Sequence, residues 1–336
     1  MKKLPIGIQT YERLITEGYY YVDKTRFIAS LAGEGVYYFL SRPRRFGKSL
    51  LVSTIKAAYE AKEELFAGQY LSGHWDWRTS NPVVHISFGS GVIRNLQELC
   101  IRFDAILRRI AAAHDVQLEE KDLRERFIEL IFSLYKVHNR KVVVLIDEYD
   151  KPILDNIHDP QTAIAIREEL KNYYSVLKDS DPYLEFVFIT GVSKFSKVSL
   201  FSGLNNLNDI TLDARYSAIC GYTQLELEAV FEERLGKVDL AKVRRWYNGY
   251  NWLGEDVYNP FDILLYLSSG QFANYWFETA TPTFLVKLLD QKQYFIPALE
   301  RLGVSEKIIG SFDVDRLEVE TLLFQTGYLT IKSVRQ

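Results

Sequence analysis

A glycine, a lysine and a serine stand consecutively at positions 47–49, and an aspartate and a glutamate stand together at positions 147 and 148. Gly47 lets the backbone approach a phosphate closely, Lys48 can reach terminal phosphates, and Ser49 can hold a magnesium ion. Asp147 can hold the same ion, and Glu148 can orient and deprotonate an attacking water. Together these residues predict binding and hydrolysis of a nucleoside triphosphate.

The first group follows a segment with the pattern of a buried strand. Residues 36–40 are aromatic or aliphatic, a short basic loop follows, and an apolar helical pattern covers residues 50–66. Strand, loop and helix in this order form a phosphate-binding loop, in which amides at the start of the helix point at the phosphate. The residues expected to bind the nucleotide there are Arg44, Arg45, Phe46, Gly47, Lys48, Ser49 and Leu50.

The loop departs from the general pattern G-x-x-x-x-G-K-[ST], because Arg42 occupies the first glycine position. An alternative interpretation is a solvated basic turn made by the three arginines, with Lys48 as an ordinary lysine of the first helical turn. A lysine at a helix N-terminus opposes the helix dipole, so this alternative must explain an unfavourable charge. An anion bound in the loop removes that difficulty.

The acidic pair ends a run of five apolar residues, 142–146. Such a run is typical of a central parallel strand that is buried on both faces. Asp147 and Glu148 then lie at the carboxyl end of the strand, where open α/β sheets bind their ligands. The alternative is a polar strand end before a turn at Lys151 and Pro152, but two adjacent carboxylates without a cation would repel each other.

A further strand is predicted over residues 184–189, followed by Thr190 and Ser193. If this strand is inserted between the acidic strand and the phosphate-loop strand, its end faces the γ-phosphate. We expect Thr190 to sense that phosphate, with Ser193 as the second candidate; in the alternative, both hydroxyls satisfy only local backbone groups. The candidates for a cation that completes the site are Lys194, Lys197 and Arg215.

The residues before the phosphate loop could form a wall of the base pocket, with Tyr21 or Val22 against adenine. The alternative, that aromatic residues here cover the edge of the sheet, is at least as well supported. The pattern also predicts strands over residues 82–88 and 208–212 and helices over residues 94–113 and 119–137.

With 336 residues, of which 47% are hydrophobic, the chain has the composition of a globular protein that can form two domains. A net charge of −3 gives no general reason to expect a nucleic-acid partner. Only two cysteines, Cys100 and Cys220, and five scattered histidines argue against a disulfide framework and a zinc site. The sequence shows no run long enough to span a membrane and no signal peptide, so we expect a cytoplasmic protein.

The character of the sequence changes after Gly221. A capping-box pattern at residues 223–226 begins a helix, and an aromatic segment with two arginines follows at residues 244–252. Those aromatic rings could stack on nucleobases. We favour the alternative that they form the core of a small helical domain. The predicted division is a domain at residues 1–220 and a helical domain at residues 221–336.

Four elements, in this order along the chain, resemble the bacterial AAA-ATPase-like family: residues 21–25 (YVDKT), 42–49 (RPRRFGKS), 147–150 (DEYD) and 246–250 (WYNGY). The resemblance covers about residues 4–331, and the arginine at position 42 fits the form of the loop in this family. It implies an α/β fold, with a three-layer α/β/α P-loop NTPase domain around a mostly parallel sheet. A smaller, mainly helical domain would follow, for which a winged-helix-like form is one option.

The resemblance implies ATP and Mg²⁺ as cofactors, with nucleotide binding at Lys48 and Ser49 and hydrolysis at Asp147 and Glu148. Members commonly carry a PD-(D/E)xK nuclease-like domain after the ATPase, and their setting suggests defence or mobile-element biology. Residues 332–336 contain no nuclease motif, so nuclease chemistry is not expected of the residues present.

Our leading hypothesis is magnesium-dependent ATP hydrolysis that drives a conformational switch of the C-terminal part. The alternative is a nucleotide-binding switch with little turnover that regulates an attached or partner nuclease. Nucleic acid, a nuclease and a second copy of the chain are the partners that these hypotheses allow.

Overall fold

The computed structural model describes residues 1–194, 197–201, 204, 206–280, 289, 297, 299, 302–304 and 319–333. The apolar helical pattern that the sequence shows around Phe284 and Leu288 lies outside these residues. Within them, no helix is both long enough and apolar enough to cross a membrane.

A five-stranded parallel sheet forms the centre of the described structure. Its strands are β1 (Tyr37–Ser41), β2 (Val83–Ser87), β3 (Val142–Asp147), β4 (Leu184–Gly191) and β5 (Asn208–Asp209), in the order β2-β3-β4-β1-β5. The predicted insertion of β4 between the acidic strand β3 and the phosphate-loop strand β1 is therefore confirmed. Because all strands run in one direction, their carboxyl ends share one edge.

Helices cover both faces of the sheet and give three layers. One face is covered by α4 (Leu96–Ala113), α5 (Leu123–His138) and α7 (Pro160–Asp179), and the other by α1 (Tyr11–Thr16), α2 (Thr25–Glu34) and α3 (Lys48–Tyr59). All six residues of β3 are buried, as the apolar run predicts for a central strand. The α/β fold is thus confirmed.

Two predicted elements are shorter than expected. The helix predicted over residues 50–66 is α3, which ends at Tyr59; Ala61 has a φ of +54°, which no α-helix accepts, and a separate 3₁₀ turn covers Glu63–Phe66. The strand predicted over residues 208–212 is reduced to the two residues of β5.

Short helices make up the rest of the described chain. They are α6 (Lys151–Leu154), α8 (Lys197–Leu200), α9 (Gln224–Val230), α10 (Glu232–Leu235), α11 (Leu240–Tyr247), α12 (Pro260–Ser269), α13 (Tyr275–Ala280) and α14 (Val319–Thr326). The predicted capping box is present at α9, where the Thr223 hydroxyl accepts from the Glu226 amide and the Glu226 carboxylate accepts from the Thr223 amide.

A separate apolar cluster joins helices α9, α11 and α12 to the N-terminal segment. Tyr20 and Val22 pack there with Leu227, Val243 and Ile263. The division of the chain at residue 220 remains a prediction, and this cluster shows that side chains from both sides of the division pack together.

Candidate nucleotide site

The phosphate-loop segment connects β1 directly to α3. Gly47 is the residue before α3 and has a φ of +93°, a conformation that favours glycine, and Arg45 also has a positive φ, of +69°. These two conformations reverse the chain within a few residues. As a result, the first free amides of the 12-residue helix α3 face the carboxyl edge of the sheet.

The Lys48 side chain is buried inside this loop. Its Nζ donates to the carbonyl oxygens of Arg42, at 2.8 Å, and Pro43, at 2.9 Å. Burial lowers the pKa of the Lys48 ammonium, and the negative charges of Asp147 and Glu148 oppose that effect. An ammonium has three donors, so one remains for an anion in the loop.

The Arg42 side chain is fully buried and anchors the loop on the side of the sheet. Its guanidinium donates to the carbonyls of Ser41 and Thr211, both at 2.9 Å, and of Tyr216, at 3.1 Å. The guanidinium carbon also lies 4.1 Å from the centre of the Trp252 ring. The alternative interpretation of a solvated turn is therefore wrong for Arg42, although Arg44 and Arg45 are exposed.

A row of polar side chains follows the carboxyl edge on the face covered by α3. Ser87 is paired with Asp147, and since Ile146 is paired with Ile189, Asp147 and Thr190 are neighbours on β3 and β4. Asp147 Oδ1 and Thr190 Oγ1 are both buried, and neither has a hydrogen-bond partner in the described part of the chain. Buried polar atoms without partners are uncommon and need an explanation, such as an absent ion or water.

These atoms fit a magnesium ion. Burial raises the pKa of Asp147, while the Ser49 hydroxyl and the Lys48 charge act in the opposite direction, so both predicted metal ligands lie together. Hard oxygen donors suit Mg²⁺, which takes few protein ligands and completes its shell with phosphate and water. Accordingly, the described residues contain no cluster of three or more His, Cys, Asp or Glu side chains that could hold a metal by themselves.

Glu148 follows directly and has a strained backbone, with a φ of +54°. Burial and the charge of Asp147 raise the pKa of its carboxyl group, whereas the charges of Lys48, Arg44 and Lys151 lower it. A partly desolvated carboxylate with a raised pKa is a better proton acceptor than an exposed one. The structure thus places Glu148 beside Arg44 and Lys48 of the phosphate loop.

The two hydroxyl candidates after β4 have different surroundings. Thr190 is fully buried with its hydroxyl unpaired, whereas Ser193 Oγ donates to Asp150 at 2.7 Å. This difference favours Thr190 for contact with a ligand. The sequence analysis placed Thr190 first and Ser193 second, but it gave no sign that Ser193 binds Asp150.

The three cationic candidates are each paired with a carboxylate. Lys194 and Lys197 Nζ lie 2.8 and 2.7 Å from Asp209 Oδ2, and Arg215 pairs with Asp213 at 2.7 Å. Asp209 and these lysines form a buried cluster behind β1, so the lysines already have a counter-ion. None of these three side chains is an unpaired charge beside the phosphate loop.

A cleft of about 400 Å³ runs along the loop. Its lining includes Glu148, Lys151 and the loop, together with residues of the N-terminal segment and of α12. All seven predicted loop residues, Arg44, Arg45, Phe46, Gly47, Lys48, Ser49 and Leu50, line it, together with Tyr21 and Val22. Thus the structure brings together the predicted nucleotide-binding residues at one cleft, with Asp147 and Thr190 buried behind them.

Sequence reasoning missed part of the lining of the cleft. Phe261 and Leu264 of α12 line it, and so does Lys24, whose Nζ contacts both carboxylate oxygens of Glu226 at 2.7 and 2.6 Å. The capping box at Thr223 and Glu226 was visible in the sequence. Its pairing with Lys24, 202 positions away, was not.

The C-terminal part touches the outer side of the loop at several points. Trp276 Nε1 donates to the Arg44 carbonyl at 3.2 Å, and the Gly221 amide donates to the Phe46 carbonyl at 3.3 Å. The Arg45 guanidinium lies 4.9 Å from the centre of the Phe261 ring. Movement of the loop therefore changes contacts with the C-terminal helices.

Two comparisons show which known proteins this chain is similar to. The family model for AAA-ATPase-like proteins, described as predicted AAA-ATPase, matches residues 5–201. An uncharacterized protein in the vnfD 5′ region of Azotobacter chroococcum mcd 1 is 51% identical over 337 residues, which cover 100% of this chain. The chain spans 65% of the length of that relative.

Proposed function

This chain belongs to the AAA-ATPase-like family of predicted AAA-ATPases, and on that premise we propose that it binds ATP with Mg²⁺ and hydrolyses it. The observation that carries the proposal is the convergence of Lys48, Ser49 and Glu148 on one cleft, with the unpaired Asp147 oxygen behind them. Family membership supports ATP binding. The proposal adds hydrolysis, the metal and the roles of the individual residues.

Each residue has a role that follows from its position. The third donor of Lys48 and the amides at the start of α3 bind phosphate oxygens and position the triphosphate. Ser49 and Asp147 hold Mg²⁺, which neutralises charge on the phosphates when it is bound. Glu148 orients a water and accepts its proton, and the Thr190 hydroxyl contacts the terminal phosphate.

The remaining loop residues shape the cleft and its mouth. Arg44 is exposed beside Glu148, where it can attract the triphosphate. Arg45, Phe46 and Leu50 also line the cleft, and so does Tyr21, to which we assign contact with the base.

We further propose that the bound phosphate changes how the C-terminal part sits on the loop. The support is the contacts of Trp276, Gly221 and Phe261 with three successive loop residues. This change would be transmitted to an attached or partner nuclease, to nucleic acid or to a second copy of the chain. Those partners are proposals that the family resemblance suggests, since the relative is longer than this chain.

A slow switch is the second candidate function. Its support is the pairing of Lys194, Lys197 and Arg215 with carboxylates, because hydrolysis of a phosphoanhydride is fast only when a further cation stabilises the transition state. In that case the chain alone binds ATP and releases phosphate slowly until a cation is supplied by another molecule.

Binding and phosphate release, measured separately with Mg²⁺, test both candidates. Lys48→Ala should weaken ATP binding by about 10- to 100-fold, because a charge-assisted contact is lost. Glu148→Gln should leave the Kd within about threefold and lower kcat by about 10²- to 10⁴-fold, because only proton transfer is affected.

Matched controls come from the same elements. Lys56→Ala removes a lysine of α3 that pairs with Glu60 at the surface, and Glu185→Gln alters an exposed carboxylate of β4; neither should change binding or turnover. Wild-type protein that binds no ATP with Mg²⁺ would refute the proposed function. Full turnover by Glu148→Gln would remove the base.

A further inference from the structure

Asp150 is a fully buried carboxylate that the proposed chemistry does not use. It accepts from the Ser193 amide at 2.9 Å, from the Ser193 hydroxyl at 2.7 Å and from the Val192 amide at 3.3 Å. All three donors belong to the two residues that follow β4. The carboxylate of Asp150, which follows β3, is thus bound to the segment that follows β4.

The simplest alternative role for an aspartate at this position is to cap a helix. Asp150 is the residue before α6, where an aspartate commonly accepts from free helix amides. Its side chain makes no such bond, because it points to Val192 and Ser193 instead. Capping therefore does not account for this carboxylate.

Tyr149, the residue before Asp150, makes two further hydrogen bonds, one to Thr190 of β4 and one to Ser193. Its amide donates to the Thr190 carbonyl at 3.1 Å, and its hydroxyl donates to the Ser193 carbonyl at 3.1 Å. Two consecutive residues after the acidic pair are therefore fixed to both ends of the segment 190–193. Thr190, the proposed phosphate contact, lies at one end of that segment.

Gly191 makes this close approach possible. A Cβ added there would lie 2.5 Å from Asp150 Oδ1 and 2.6 Å from the Tyr149 ring. Real Cβ atoms do not approach other heavy atoms so closely, so any side chain at residue 191 must push the two strand ends apart.

Glu148 immediately precedes these two residues, in its left-handed conformation. A non-glycine residue keeps such a conformation only when its surroundings impose it. We propose that Asp150 is a positioning residue that fixes the turn carrying Glu148 to the end of β4 carrying Thr190. This inference rests on the proposed hydrolysis. Asp150 keeps the proposed base, Glu148, and the proposed phosphate contact, Thr190, in one fixed arrangement.

The test is Asp150→Asn, which keeps the shape but replaces one accepting oxygen by a donor that faces other donors. We expect kcat to fall about 10- to 100-fold while the Kd for ATP changes less than about threefold. Gly191→Ala should show the same pattern. Ser193→Ala, which removes one of the three bonds and is milder to folding, should lower kcat about three- to tenfold.

A double variant separates positioning from a general loss of structure. If Asp150 acts by positioning Glu148 and Thr190, Asp150→Asn should lower kcat less in the Glu148→Gln background than in the wild type, because one of the two positioned groups is already lost. As a control for stability, Asp159→Ala removes the side-chain cap of α7 and should leave kcat unchanged. Unchanged kcat in Asp150→Asn, or effects that multiply in the double variant, would overturn the inference.

Amide hydrogen exchange gives a reading that does not depend on turnover. Residues 148–150 and 190–193 should exchange faster in Asp150→Asn than in wild type, while β2 and α5 remain unchanged. Equal exchange in both proteins would also overturn the inference. Wild-type protein without phosphate release would refute the proposed hydrolysis, whereas the exchange result decides separately whether the two strand ends are joined.

Discussion

Replacing Arg42 by glycine would give the loop the residue that the general phosphate-loop pattern has at that position, and we expect the protein to become much less stable. The guanidinium makes three hydrogen bonds to buried backbone carbonyls and one contact with the Trp252 ring. Charged hydrogen bonds contribute about 2 kcal/mol each, and a buried cation–π contact contributes about 2 kcal/mol.

Desolvation of the charge reduces this gain. Burial lowers the pKa of Arg42 from 12.5 to about 10, which corresponds to about 3 kcal/mol of unfavourable free energy. The free energy of unfolding should therefore fall by about 5 kcal/mol in Arg42→Gly. For a chain of 336 residues, such a loss lowers the Tm by about 7 °C.

Arg45→Gly is the matched control in the same loop. Its positive φ favours glycine, which gains about 1 kcal/mol, while loss of the exposed contact with Phe261 costs about as much. The two variants should therefore differ clearly in the midpoint of urea unfolding, followed by far-UV circular dichroism. If Arg42→Gly unfolds within about 1 kcal/mol of wild type, the buried contacts of Arg42 do not hold the loop.

Two further predictions concern the C-terminal contacts with the loop. Burial raises the pKa of Asp262 to about 6, so its ionisation destabilises the folded state as the pH rises from about 4 to 6. Asp262→Asn keeps the bond accepted from the Trp276 amide, and its free energy of unfolding should match that of the wild type at pH 4 and exceed it by up to about 3 kcal/mol at pH 7.5. Equal urea midpoints of the two proteins at both pH values would contradict this. ATP with Mg²⁺ should change the tryptophan emission of the wild type and of Trp246→Phe. The change should be clearly smaller in Trp276→Phe, in which only Trp252 still contacts the loop. A response in Trp276→Phe as large as that of the wild type would show that the Trp276 contact does not report the loop.

The sheet could be predicted because its signals are local. The apolar run before Asp147 indicates a strand buried on both faces, and the glycine and lysine at residues 47 and 48 mark the start of a helix. The placement of β4 between β3 and β1 was predicted and is confirmed, whereas the positions of β2 and β5 in the sheet were not predicted. Strand β5 could not be delimited, because pairing with β1 extends over only two residues despite the apolar pattern that follows.

The site was harder to predict wherever it depends on contacts between distant residues. Nothing in the sequence indicates that Arg42 points away from the cleft, or that Lys24, which lines the cleft, pairs with Glu226. The choice between Thr190 and Ser193 likewise depends on Asp150, which binds one hydroxyl and leaves the other unpaired. Tertiary hydrogen bonds of this kind carry no periodic signal.

Arg42 also shows why this loop can lack its first glycine. A glycine is needed only where the backbone has a positive φ or where a Cβ would meet the ligand; Arg42 has no positive φ, and its side chain leaves on the side of Thr211, Tyr216 and Trp252. The loop is thus held by Arg42 from the side of the sheet and by Trp276 from the side of the C-terminal helices. Because one attachment belongs to the α/β part and the other to the C-terminal part, the proposed phosphate binding in between would act on both.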